Sequence, residues 1–331
     1  MLIHTHAYAR AGLVGNPSDG YFGKTISIIV KNFRCRVTLY ESPRLVIVPG
    51  HRDKVDFDSL EDLVAFVEES GYYGAARLVK ATIKKFHDYC AQHRILLEPK
   101  NFTIEHDTNI PLRVGLAGSS AIVTATMRAL MQFYDVEIPK PALPGLILHA
   151  ETDELKITAG LQDRVVQVYE GCVYMDFRRE LLESQGYGHY EPLDPTLLPP
   201  LFIAYHDALS EGTEVAHSPV RERWLAGEPK VIETMNRIAA LAERSRDLIL
   251  ARRGAEIGPL LDENFDLRAG LYSISPGNRE LVERARHEGA HVHFAGSGGA
   301  VVGVCRDDAM FDHLAHSYAQ MGARILKPVI L

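Results

Sequence analysis

The chain has 331 residues, 46% of them hydrophobic and 24% charged, with 26 glycines and 17 prolines. This is a globular balance, too apolar for a disordered chain and too poor in Gly and Pro for a collagen-like one, and the length suits one large domain or two ordinary ones. Lys and Arg number 36 against 43 Asp and Glu, a formal charge of −7, so no polycationic surface for nucleic acid is expected.

In chain order, Ile- and Val-rich runs at 26–30, 36–40 and 45–48 predict short strands. Ala75, Leu78, Val79, Ile83, Phe86 and Tyr89 recur at helical spacing and predict a helix over 74–90. Residues 102–112 read as a strand ending at Pro111. The Gly/Ser loop 115–120 precedes a second helix carrying Ile122, Ala125, Met127, Leu130 and Phe133. Residues 143–153 look helical, and a short helix after Asp163 should stop at Gly171. A strand at 173–177 follows. Pro199–Pro200 is the natural boundary between two halves. Beyond it the pattern reads as a strand at 201–205, helices at 230–252, 256–272 and 280–287, strands at 290–295 and 301–305, a helix at 308–322 and a strand at 324–329. The closing part resembles a split βαβ arrangement, so an α+β protein of two halves is expected.

No apolar stretch approaches the roughly 20 residues of a membrane span. The first ten residues carry His4, His6 and Tyr8 in place of an apolar signal core, so a cytoplasmic protein with no membrane partner is expected. Cys35, Cys90, Cys172 and Cys305 form no CxxC pair and read as buried free thiols. His291 and His293 alternate along a strand, but no third ligand is spaced for zinc. The sequence does not specify an oligomeric state.

Three glycine-bearing loops stand out: Gly12 to Gly20, Gly115-Leu116-Ala117-Gly118-Ser119-Ser120-Ala121, and Gly296-Ser297-Gly298-Gly299. The middle loop lies directly ahead of a helix, where small residues and free N–H groups can cradle a phosphate. It is no Walker A loop, because Ser119 stands where the lysine belongs. Gly23-Lys24-Thr25 fails as well, since Ser18 occupies the position of the earlier glycine. No loop reads GxGxxG after a strand. Taken alone, the middle loop could equally be an ordinary turn with a serine cap.

The order of the three loops, and above all the Gly-Leu-Ala-Gly-Ser-Ser-Ala form of the second, resembles the three motifs of the GHMP small-molecule kinase superfamily. Within it, the chain is most similar to the kinases that phosphorylate D-glucuronate at C1. The likeness rests on Gly15–Asp19, Ala159–Val165, Val173–Phe177, Leu197–Leu201, His217–Trp224, Asn264–Arg268 and Gly296–Val301. The resemblance implies an N-terminal half over 1–198 like ribosomal protein S5 and a ferredoxin-like C-terminal half over 199–331. It implies ATP as donor, Mg²⁺ as cofactor and a sugar acid as acceptor. Another free sugar (galacturonate, arabinose or a heptose) is the alternative substrate. A catalytically silent sensor is the alternative function, although such a protein should have lost Asp163, Ser120 or Glu151.

The roles implied are specific. Gly115, Leu116, Ala117, Gly118, Ser119, Ser120 and Ala121 would hold the nucleotide. Ser120 and Glu151 would hold Mg²⁺, with Glu154 as the fallback one turn away. Asp163 would be the base and Arg10 its cationic neighbour. Asn16, Ser18, Asp19, Gly296, Ser297 and Gly298 would meet the sugar, and Arg268 would pair with its carboxylate. Without the resemblance, Asp163 reads equally as a helix-start carboxylate and Asp19 as turn chemistry.

Overall fold

Exposure alternates from Leu2 to Ala7 and then gives way to continuous burial, the pattern of a strand that leaves the surface and enters the core. This is β1 (Leu2–Val14), the first element of a computed structural model that describes residues 1–50, 58–59, 64, 74–209 and 213–330; the side chains of 213–218 lie outside that description. Small Ala7, Ala9 and Ala11, all fully buried, line β1 and carry little strand signal, so the sequence reading passed over it.

Its antiparallel partner is β2 (Lys24–Glu41). The two short strands expected at 26–30 and 36–40 are one. Lys31–Arg34 interrupts the apolar run but holds no Gly or Pro to break the strand, and an irregularity in the β1 pairing between Tyr8 and Ala9 absorbs the local shift.

Around this hairpin are built β3 (Val46–Ile47), β4 (Phe102–Thr108), β5 (Cys172–Asp176) and β6 (His189–Leu193), in the order β3-β4-β2-β5-β6 with β1 on β2. The helices with described bounds in this half are α1 (Ala75–Gln92), α2 (Gly118–Tyr134), α3 (Leu143–His149), α4 (Gln162–Tyr169) and α5 (Arg179–Gln185). Helix α2 is apolar nearly all round and buried accordingly, packed on β1, β2 and α1. After α3 the chain widens into one π-helical turn, Ala150–Glu154.

The second sheet has the order β10-β7-β9-β8, all pairs antiparallel: β7 (Leu201–Tyr205), β8 (His291–Phe294), β9 (Ala300–Val304) and β10 (Arg324–Leu326). This is the ferredoxin-like order, with α9 (Pro276–His287) ahead of β8 and α10 (Asp308–Gln320) ahead of β10. Helices α6 (Thr213–Leu225), α7 (Pro229–Leu250) and α8 (Gly258–Ala269) follow β7. Elements α5, β6 and α6 are additions to the sequence reading. Helix α5 buries none of its residues and α6 contains Pro219, so neither shows a clean periodicity.

The two sheets share one core. Leu241 and Ala242 of α7 join Leu13 and Ile26 of the first sheet and Ile203 of the second in a single apolar cluster. All four cysteines are buried and free. No described helix is long and apolar enough to cross a membrane.

Candidate active site

Arg10 is on β1, only 5% exposed, and its guanidinium touches three separate segments. Nε donates to Asp163 Oδ1 at 2.5 Å, and Nη1 donates to the carbonyls of Gly115 at 2.5 Å and Ala295 at 2.9 Å. One cation thus joins the carboxylate at the start of α4, the loop ahead of α2 and the end of β8. A buried arginine needs such a set of partners to offset its lost hydration.

The second and third glycine loops meet backbone to backbone. A Cβ on Gly115 would come within 2.9 Å of the Gly298 carbonyl and 3.0 Å of the Ser297 nitrogen, and one on Gly296 would strike the Gly115 carbonyl. Gly115 also has φ +73. Steric room and backbone conformation both select glycine here. Ala117 sits in the left-handed region just before α2, so Gly118, Ser119 and Ser120 form its first turn. Their N–H groups face an end of the helix that has no carbonyl partners of its own. Leu116 and Ala121 are core residues.

The first loop is fixed from the C-terminal half. Gly15 N donates to Asn264 Oδ1 at 2.6 Å, and Asn264 Nδ2 donates to the Asn16 carbonyl at 2.9 Å. Ser18 is fully buried and its hydroxyl donates to the Lys24 carbonyl at 2.9 Å, so it shapes the loop. Arg268, expected to meet a substrate carboxylate, is 1% exposed. Its Nη1 donates to Asn16 Oδ1 at 3.1 Å and to the Gly296 carbonyl at 2.7 Å, and its Nη2 to the Ser297 carbonyl at 3.1 Å. That expectation is corrected: the guanidinium is committed to tying loop one to loop three, with Phe294 and Tyr272 against its faces.

Asp19 ends the first loop and closes on Gly160, where any Cβ would strike its Oδ2. Gln162 links this carboxylate to the sheet, accepting from Ser27 Oγ at 3.1 Å and donating to Asp19 Oδ1 at 3.5 Å. Burial pushes Asp19 up to about 7, with the Asp163 charge adding to the rise and Arg10 opposing it.

Arg164, missed in the sequence, is the second buried cation. Its Nε and Nη2 both donate to Glu151 Oε2, and Nη1 reaches the Gly160 carbonyl at 2.9 Å and Asp163 Oδ2 at 3.4 Å. Burial would lower its pKa, but Glu151 and Asp163 outweigh that and raise it. Glu151 is 1% exposed and its Oε1 is buried with no hydrogen-bond partner. Ser120 is fully buried, and its hydroxyl donates to the Ala117 carbonyl at 3.1 Å, leaving its oxygen lone pairs open to a further partner. Glu154 faces the other way and accepts from Lys84 and Lys85 of α1 at 3.1 Å each. The π-helical turn therefore directs Glu151 inward and leaves Glu154 outside. The 13-residue separation of Arg164 from Glu151 is no helical period, so spacing could not have paired them.

The strand histidines do unrelated things. His291 Nδ1 lies 2.6 Å from Asp262 Oδ2, while His293 is fully buried, its pKa lowered well below normal by burial and then by Arg268. Among the described residues no group of three His, Cys, Asp or Glu could hold a metal.

The raised Asp19 has a consequence for stability. Its ordinary value is 3.8, so between that and about 7 the unfolded chain releases the proton more readily than the folded one. Ionisation there favours unfolding, and the full penalty stands above about 7. Asp19→Asn removes it. The thermal midpoint of Asp19→Asn relative to wild type should be higher at pH 8 than at pH 5, and an equal offset at both pH values would contradict this assignment.

Comparison with known proteins shows the family of the chain. The family model for the GHMP kinases N terminal domain matches residues 77–171, and that for GHMP kinases C terminal matches 240–323. "Probable glucuronokinase 2" of Arabidopsis thaliana is 45% identical, over 98% of this chain and 90% of that protein. "Glucuronokinase 1" of the same plant is 42% identical, over 99% and 91%. A Lactococcus lactis galactokinase solved in complex with galactose is similar in fold, with TM-score 0.77 and 15% identity over 99% and 93% of the two chains. With both domain models matched in order and close full-length relatives, this chain belongs to the GHMP kinase family.

Proposed function

We propose that the chain transfers the γ-phosphoryl group of ATP to the C1 hydroxyl of D-glucuronate. The observation that carries this reading is Asp163, held by Arg10 where the second and third loops meet and close to the loop bearing Asp19. The two full-length relatives, both named glucuronokinases, support the choice of sugar. A cytoplasmic setting, where ATP is available, completes it.

Phosphoryl transfer depends mostly on positioning and charge neutralisation. The N–H groups of the first turn of α2 and of Gly115–Ala117 would receive the phosphates, and Gly296–Gly298 closes the far side of the same cradle. Asp19 would accept hydrogen bonds from sugar hydroxyls, with Asn16 and Ser18 shaping the loop that presents it. Asp163 takes the proton from the attacking hydroxyl. The anomeric hydroxyl is the most acidic of the sugar, which suits a carboxylate base. Arg10, bonded to both Asp163 and the Gly115 carbonyl, keeps the base in register with the phosphate loop.

The unpartnered, buried oxygen of Glu151 and the Ser120 hydroxyl fit a hard divalent cation, which takes its remaining ligands from phosphate and water. Mg²⁺ would supply neutralisation of the phosphate charge there. Because Arg164 already holds Glu151 Oε2, it would aim the other oxygen.

Two experiments test the reading. A coupled ADP-release assay over free sugars should give the highest kcat/KM with glucuronate. Asp163→Asn should lower kcat by roughly 10²–10⁴ while nucleotide binding persists. Retention of more than half the activity, or a preference for neutral sugars, would reject the respective assignment. In a Mg²⁺ titration of activity, Glu151→Gln should need more metal and Glu154→Gln should not; the reverse pattern would move the site outward.

A further inference from the structure

A glucuronate site needs a cation for the carboxylate, and Arg268 is not free to provide it. Most cations around the Asp19 loop are committed too. Arg10 and Arg164 hold Asp163 and Glu151, Lys24 pairs with Glu243 at 2.8 Å, and Arg178 pairs with Asp176 at 2.8 Å. Arg221 differs. It lies in the C-terminal part of α6, in the His217–Trp224 block that the mechanism does not otherwise use.

Its neighbours anchor it. Val220 is 2% exposed and packs in a cluster with Tyr21, Val231 and Met235, and Trp224 makes an edge contact with Tyr21 at 5.6 Å between ring centres. Tyr21 in turn has its hydroxyl 3.1 Å from that of Tyr272. The Arg221 guanidinium rests over the Trp224 ring at 5.3 Å and the Tyr21 ring at 5.7 Å. Its Nη1 donates to the carbonyl of Gly20, the residue after Asp19. Among the described residues no carboxylate pairs with it, and the residue is exposed. It is thus a positioned cation on an aromatic floor, bonded to the Asp19–Gly20 loop by one N–H, and among the described residues no other hydrogen-bond partner occupies the rest of its planar fork. Such a fork suits a carboxylate, and the ring faces hold its orientation.

We propose that Arg221 is the specificity-determining cation that receives the carboxylate of a uronic acid whose hydroxyls are read by Asp19. The proposal rests on the glucuronate reading above. Galacturonate, which keeps the carboxylate, would use the same contact, whereas neutral sugars would not.

The test compares glucuronate with glucuronamide, which keeps the carbon skeleton and loses the charge. Arg221→Gln should reduce the ratio of their kcat/KM values by about 10- to 100-fold, as expected for one charge-assisted pair. The loss should fall mainly on the KM for glucuronate. Arg221→Lys should recover part of it, because it restores charge without the fork. Arg179→Gln is the control: among the described residues Arg179 also has no carboxylate partner, but it lies over Phe22 at 4.5 Å, and its ratio should match wild type. An unchanged ratio in Arg221→Gln, or an equal fall in Arg179→Gln, would overturn the proposal and leave the glucuronate reading intact. A wild-type protein that used glucuronate no better than glucuronamide would overturn both.

Discussion

Everything at this site depends on one buried guanidinium. Arg10 bonds to the proposed base, to the Gly115 carbonyl in the proposed phosphate loop and to the strand end at Ala295. These belong to three elements far apart in sequence, so their mutual distances are set by the reach of a single side chain. A buried cation without partners is prohibitively costly, so the three segments can pack here only if each presents an oxygen to it. Catalysis by positioning requires that kind of fixed geometry.

Around Arg10 the same device recurs. Arg164 holds Glu151 and approaches Asp163, and Arg268 holds Asn16, Gly296 and Ser297. Arg268 thus ties the first loop to the third, Arg10 ties the second loop to Asp163 and Ala295, and Arg164 ties Glu151 to the Gly160–Asp163 turn. Glycine lets the backbones approach closely enough for those carbonyls to be shared. One carboxylate beside these arginines is perturbed: burial first, and then the Asp163 charge, push Asp19 up to about 7.

Much of this was legible in the sequence, and what was not has identifiable causes. The loops, the helix after Gly115–Ala117 and the succession of strands and helices in the second half follow from local chemistry (glycine content, helical period and strand runs), whereas the ferredoxin-like fold of that half was implied by the family resemblance and is seen in the strand order. Strand β1 escaped because alanine carries little strand signal. Arg164 and Arg221 escaped because their partners are remote in sequence, and no period links residue 164 to 151 or 221 to 20. Arg268 was recognised as important, yet its role was misassigned. An arginine in a helix shows its charge in the sequence, but its burial and its choice of backbone carbonyls arise only when α8 is set against two loops.

The proposed site divides between the halves: the N-terminal half carries the proposed base, the proposed metal ligands and the proposed phosphate loop, and the C-terminal half fixes the Gly15–Asn16 loop through Asn264 and Arg268. The central claim is that the Arg10-held carboxylate activates the anomeric hydroxyl. The most direct measurement is the phosphorus NMR spectrum of the product formed from glucuronate and ATP. A sugar phosphate whose resonance is split by the anomeric proton, and which has lost its reducing end, is the result expected. An acyl phosphate on the carboxylate, or ADP with free phosphate and unmodified sugar, would contradict it.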